Sequence, residues 1–234
     1  MRLLLTRHYK TLDNVSQQIL GWGDSPHIDG WQADMEFVVG RLRRVDISPD
    51  VIYSSDLKRS RLTAEYYANL LGIKAVCSSA ALNEVNYGHL HKKKKKWVAD
   101  HYPLHKKDPD FVYPGGECFR AMQRRSVDYL LTLTARHAAQ TLLIVGHSGI
   151  IRGFISYFLG LNYAEHLQHK IPHRYIGDFH FDGGRCISYD ELGKPSGFVQ
   201  QGVIKVPFAP QAAGVESCGR PQRTGLSAQP ADSV

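Results

Sequence analysis

Apolar and polar positions along this chain fall into blocks that read as strands followed by helices. Residues 3–6 are a short apolar run that stops at the polar pair Arg7-His8, the pattern of a buried strand. A polar, glycine-containing stretch follows to Pro26. Val38, Leu42 and Val45 recur at helical spacing and predict a helix over 29–45, with Asp29 as its N-cap. Ser48-Pro49-Asp50 reads as a turn, 51–54 as a second strand, and 57–71 as a helix closed by Gly72. Residues 74–78 form a third short strand. The segment 80–115 is polar and irregular, with one helix around 94–101. A longer helix is expected over 117–137, with Phe119, Met122, Leu130 and Leu133 on its apolar side. Residues 141–146 are a continuous apolar run, as in a strand covered on both faces, and His147 then opens a helix to Leu159. Two stretches, 178–182 and 185–190, flank Gly183-Gly184 as a hairpin would.

Strands alternating with helices predict an α/β fold: a three-layer sandwich with a mostly parallel central sheet and helices on both faces. One domain is expected over 1–206. The remainder, 207–234, is rich in Pro, Ala, Gly, Gln and Ser and reads as a disordered tail. Open sheets of this kind bind ligands outside the carboxyl ends of their strands. Arg7-His8, Ser54-Ser55-Asp56 and His147-Ser148 all lie just past predicted strand ends, so three polar clusters converge on one rim.

Composition narrows the partners. With 234 residues and 43% hydrophobic content the chain can bury a substantial core. Its four cysteines are far apart and form no C-x-x-C pair, which points away from a metal knuckle or a disulfide framework and toward a reducing compartment. No stretch is apolar for long enough to span a bilayer, so a soluble, cytoplasmic protein without a membrane partner is expected. The net charge of +7 favours anionic partners, and much of it sits in the five lysines 92–96, with Lys106 and Lys107 nearby. A lysine run is ordinarily a solvated face.

Chemistry gathers around His8. Arg7 adjoins it, Arg59 lies in the first turns of a helix starting at the same rim, His147 follows the strongest strand, and Glu84 sits in a non-helical loop. Arginines offer fixed, bidentate positive charge to phosphate oxygens. A neutral imidazole is a nucleophile, and two nearby guanidinium groups keep it neutral.

These residues carry a family resemblance. Arg7-His8-Tyr9-Lys10-Thr11 resembles the strand-end R-H-G-x-[ST] signature of the histidine phosphatase family, to which phosphoglycerate mutases belong. Asn14 stands where that family has a phosphate-contacting asparagine. Gly21-Trp22-Gly23-Asp24-Ser25-Pro26 resembles G-W-x-D-x-P. Ser54-Ser55-Asp56-Leu57-Lys58-Arg59 with Thr63-Ala64 is similar to S-S-D-L-x-R-A-x-Q-T-A. Leu82-Asn83-Glu84 with Tyr87-Gly88 resembles the acid-bearing segment, Pro114-Gly115-Gly116-Glu117 matches P-G-G-E, and Val145-Gly146-His147-Ser148-Gly149 matches the segment of the second histidine. The matches keep family order over roughly 1–190. Tyr9 for glycine, Lys10 for an acidic residue, Ser60 for alanine, Leu62 for glutamine and Cys118 for serine depart from the pattern. Tyr9 places bulk beside the nucleophile.

The resemblance implies the histidine phosphatase fold and phosphorylation of His8. Arg7, Arg59 and His147 would surround the phosphoryl group with help from Asn14, and Glu84 would protonate the leaving oxygen. The sequence shows no carboxylate cluster of the kind magnesium sites use, and the cationic side chains take the metal's electrostatic role, so no metal and no cofactor are expected. Only 63 positions separate Glu84 from His147. Mutases of the family carry a longer insertion there, with arginines for the reoriented substrate, and Arg124 and Arg125 fall too late to replace them. The spacing resembles the phosphatase branch, including α-ribazole phosphatases and broad sugar-phosphate phosphatases. The expected partner is a small phosphate ester. A mutase-type phosphotransferase is the alternative. A polyanion-binding module using 92–96 is a third reading, although no nucleic-acid motif accompanies the run.

Overall fold

In the computed structural model, the residues described are 1–193 and the backbone of 217–219. The strands are β1 (Arg2–Arg7), β2 (Val51–Ser54), β3 (Val76–Ser78), β4 (Thr141–Gly146), β5 (Ile176–Asp182), β6 (Arg185–Glu191) and β7 (Ser217–Gly219). The helices are α1 (Leu12–Val15), α2 (Gln32–Arg44), α3 (Lys58–Leu71), α4 (Lys95–His101), α5 (Phe119–Arg136), α6 (Ser148–Leu159) and α7 (Tyr163–Gln168). One sheet runs in the order β6-β5-β1-β4-β2-β3-β7. Its four central strands are parallel, and β5, β6 and β7 are antiparallel to their neighbours.

The central strands are buried on both faces, which is why they read as unbroken apolar runs. Successive β1 side chains go to opposite layers. Leu4 joins Ile52, Leu143 and Val145 against Val38 and Leu42 of α2 and Tyr67 of α3. Leu3 and Leu5 join Leu142 and Ile144 against Met122 and Leu130 of α5 and Ile151 and Phe154 of α6. The result is the three-layer α/β sandwich expected from the chain.

Several boundaries differ from expectation. Helix α2 begins at Gln32 rather than near Asp29, because Gly30 takes a left-handed φ of +69° and breaks the backbone between them. Trp31 then precedes the helix without a side-chain cap. The buried face is Met35, Val38, Val39 and Leu42, while Val45 lies past the last turn and is 48% exposed. Two short helices sit in stretches that read as polar loop. In α1 the side chain of Thr11 accepts from Asn14 N and that of Asn14 from Thr11 N, and Asn162 and Glu165 do the same for α7. Cys77 is disulfide-bonded, against the expectation of unpaired cysteines, and β7 sets Cys218 opposite it in register. Most of the expected tail lies outside the described residues. Of it, only Ser217–Gly219 is described, as a strand beside β3. Among the described residues no helix is long and apolar enough to cross a membrane.

Candidate active site

The sheet register explains how the site assembles. Arg7 pairs with Gly146 at the end of the β1–β4 ladder, and His8 N donates to Gly146 O at 3.0 Å, extending the ladder by one step. His8 and His147 therefore emerge side by side, with ring centroids 5.1 Å apart. Strand β2 ends beside β4, so Ser55 reaches His147, and α3 starts three residues later. That brings Arg59, in its first turn, back over the same rim. It is one of the largest fully buried side chains.

Hydrogen bonds fix the imidazole tautomers. His8 Nδ1 lies 2.6 Å from Tyr9 O, and a carbonyl only accepts, so Nδ1 carries the proton. Nε2 keeps its lone pair and accepts from Arg59 Nε at 3.3 Å. His147 Nδ1 accepts from Arg59 Nη2 at 3.2 Å, so its Nε2 donates to Ser55 Oγ at 2.7 Å. Burial, then Arg59, His147, Arg7 and His173, push His8 well below the usual histidine range; burial, Arg59 and Arg7 do the same to His147. Both rings are neutral at pH 7. Arg59 donates to Gly23 O at 2.9 Å and Gly21 O at 2.7 Å, and Arg7 donates to Ile171 O at 2.7 Å. Burial lowers both guanidinium groups to about 10, so they stay charged. Arg7 Nε is buried with no partner.

Glu84 is held by main-chain amides: Oε1 accepts from Val85 N and Oε2 from Gly149 N, each at 3.0 Å. Gly149 belongs to the first turn of α6, and a Cβ there would collide with Glu84 Oε1, so a side chain at 149 would push the carboxylate out of this position. Arg7, His8, Asn14, Arg59 and Glu84 all line one cavity of about 70 Å³. His147 lies beneath it, fully buried behind Arg59 and Ser55. Asn14 Oδ1 accepts from Thr11 N in the α1 cap at 3.3 Å. Larger cavities of about 480 and 390 Å³ lie elsewhere and contain none of these groups, so size does not mark the site.

Tyr9 does not crowd the cavity. Its ring turns to the opposite layer, against Trp31 at 4.9 Å. The lysine run divides. Lys95 lines the cavity, Lys94 Nζ donates to Ser16 O, Lys93 sits over the Trp97 ring, and Lys96 pairs with Asp100.

The sequence reading missed the groups that hold the acid loop. The Glu84 carbonyl accepts from Trp22 Nε1 at 2.6 Å and from Arg125 Nη2 at 3.0 Å. Arg125 also pairs with Glu117, whose Oε1 accepts from Asn86 N. Glu117, expected in the first turn of a helix, instead precedes α5, which is capped by Cys118. The Pro-Gly-Gly-Glu motif was the available signal, since an acid outside a helix needs a partner. Ser55 was placed at the rim but not paired with His147, and His173 was missed. No local pattern marks His173.

A family model for the histidine phosphatase superfamily, branch 1, matches residues 3–189. The chain belongs to the histidine phosphatase superfamily. It is 26% identical over 178 residues to a 2,3-bisphosphoglycerate-dependent phosphoglycerate mutase of Bartonella tribocorum, covering 72% of this chain and 86% of that protein. Its structure is similar to Bacillus stearothermophilus YhfR, with a TM-score of 0.70 and 25% identity over 79% of this chain and 93% of that one. It shares its fold with the α-ribazole phosphatase of Shigella flexneri, with a TM-score of 0.70 and 22% identity over 80% and 93% of the two chains.

Proposed function

We propose that the protein is a phosphomonoester hydrolase working through a phosphohistidine at His8 on a small anionic phosphorylated metabolite. One observation carries this reading: His8 is neutral, has its proton on Nδ1 and its lone pair on Nε2, and shares a small cavity with two arginines and a carboxylate. Nε2 attacks phosphorus as the ester P–O bond breaks, and Glu84 gives a proton to the leaving oxygen. Water then attacks the phosphohistidine, Glu84 takes its proton, and the P–N bond breaks to release phosphate. Arg7 and Arg59 carry the charge on the equatorial oxygens, with His147 and Asn14 assisting, which is most of what phosphoryl transfer requires. A positioned acid such as Glu84 contributes roughly 10²–10⁴-fold.

No metal takes part in this scheme, because the arginines do its electrostatic work. Among the described residues no group of three or more His, Cys, Asp or Glu is placed to hold one. A mutase-type phosphotransferase is the second reading, favoured by the 26%-identical mutase relatives. The short interval from Glu84 to His147 supports the hydrolase.

A panel of phosphomonoesters assayed for phosphate release, with EDTA present, tests the proposal. Release that survives EDTA and is abolished in His8→Ala is expected. Phosphoglycerate isomerisation without phosphate release would favour the mutase instead.

A further inference from the structure

The nucleophile loop is tied down by the segment that leads into the adjacent strand, β5. Residues 171–173 lie just before β5, which pairs antiparallel with β1, and they cross the end of β1 as a strap. Ile171 O accepts from Arg7 Nη1 at 2.7 Å. Two residues later His173 Nδ1 lies 2.7 Å from His8 O, so Nδ1 donates to that carbonyl. The two rings meet edge to face with centroids 5.7 Å apart. No other hydrogen bond to His8 O accompanies this one among the described residues.

That carbonyl matters because of what hangs from it. It belongs to the His8–Tyr9 peptide, and the next carbonyl, Tyr9 O, accepts the Nδ1 proton of His8. The same peptide's amide, Tyr9 N, donates to Thr63 Oγ1 at 3.0 Å. The peptide is thus gripped at its nitrogen by α3 and at its oxygen by His173. A peptide plane held at both ends cannot rotate, and its fixed orientation limits where Tyr9 O can point. Losing one grip frees the plane to rock, which loosens the hydrogen bond that keeps the His8 proton on Nδ1. Nε2 then loses its lone pair in the fraction of molecules with the other tautomer, and its aim in the rest.

We propose that His173 is a positioning residue for the nucleophile, acting through the His8 carbonyl to hold His8 in the Nδ1–H tautomer with Nε2 aimed into the cavity. This rests on His8 being the nucleophile. Burial, with Arg7 adding to it, lowers His173 to about 4, so the ring stays neutral and its Nδ1–H is a steady donor at neutral pH. Its ring is partly exposed, and the strand that follows it is anchored by β1 and β6, so substitution there spares the core.

The test compares His173→Leu, which keeps bulk and removes the donor, with His173→Asn, whose side-chain N–H stands where Nδ1–H was. Single-turnover phosphorylation by p-nitrophenyl phosphate should slow on the order of ten-fold in His173→Leu. KM should hold within about two-fold, and His173→Asn should recover most of the rate. Nitrogen-15 spectra of the His8 imidazole should show one Nδ1–H tautomer in the native and Asn proteins and a mixture in the Leu protein. A native rate in His173→Leu overturns the inference, as does an unchanged tautomer or an Asn variant no better than Leu. His8→Ala separates the two readings. If it is inactive while His173→Leu is native-like, only the role of His173 fails; if it still turns over, the proposed function fails first.

Discussion

His8 and Glu84 line one cavity but reach it by different means. His8 is carried on the end of a central parallel strand, with its amide in the β1–β4 ladder and its neighbours on both sides fixed by register. Glu84 sits in an irregular loop after β3, with no ladder beneath it. It is placed by a few long-range polar contacts: Trp22 and Arg125 on its carbonyl, Gly149 on its carboxylate, and Glu117 behind Arg125. The nucleophile side draws its geometry from cooperative backbone structure, while the acid side depends on a few isolated contacts. Substitutions far from the chemistry should therefore disarm the acid while leaving the nucleophile intact.

The largest loss should come from Gly149→Ala. The new methyl displaces the Glu84 carboxylate while every charged group remains, so hydrolysis of sugar phosphates should fall roughly 10²-fold. Turnover of p-nitrophenyl phosphate, whose leaving group needs little protonation, should fall much less. Equal losses on both substrates would mean that the substitution damages the nucleophile side as well.

Removing the clamp should be milder. Arg125→Ala leaves the Glu84 carbonyl held by Trp22 alone and takes the guanidinium away from Glu117, and about ten-fold slower turnover with the same leaving-group bias is expected. A loss confined to thermal stability, with kinetics unchanged, would reduce Arg125 to scaffolding.

Acid acts on the nucleophile side. His8 and His147 are both buried and held below their ordinary value of 6.5. Unfolding lets each take up a proton, so the unfolded chain binds more protons below that value and stability falls as pH falls. Urea midpoints should be flat above about pH 7 and decline below about 6.5. The decline should be shallower in His147→Asn. An equal slope in that variant would assign the acid sensitivity elsewhere.

The smallest effect belongs to the lysine run. Only Lys95 faces the cavity, so Lys95→Gln should raise KM a few-fold at low ionic strength, with kcat almost unchanged. Screening beyond about 8–10 Å should shrink the difference as salt is added. A large fall in kcat would place Lys95 on the reacting phosphoryl group.

The same division governs what could be read from the sequence. Strands β2 and β4 and helix α3 were legible because continuous apolar runs and a closing glycine are local signals. So was the gathering of Arg7, His8, Arg59, Glu84 and His147 at one rim, since motif order survives in one dimension. Asp29 failed as a cap because the left-handed turn at Gly30 intervenes, and α1 and α7 escaped because capping boxes hold helices too short for periodicity. Arg125 escaped because its target carbonyl lies 41 residues away, and His173 because its target lies 165 away. Such contacts exist only after the sheet has formed. Tyr9 looked like an obstacle because the sequence does not say which face of the sheet a loop residue joins.

The proposed function rests on a bond from His8 Nε2 to phosphorus. Rapid quenching of the enzyme with a labelled phosphomonoester tests it most directly. Label should appear on His8 in an acid-labile, base-stable form, appear and decay at rates compatible with turnover, and be absent from His8→Ala. Full turnover with no protein-bound label at any quench time, or undiminished turnover in His8→Ala, would contradict it.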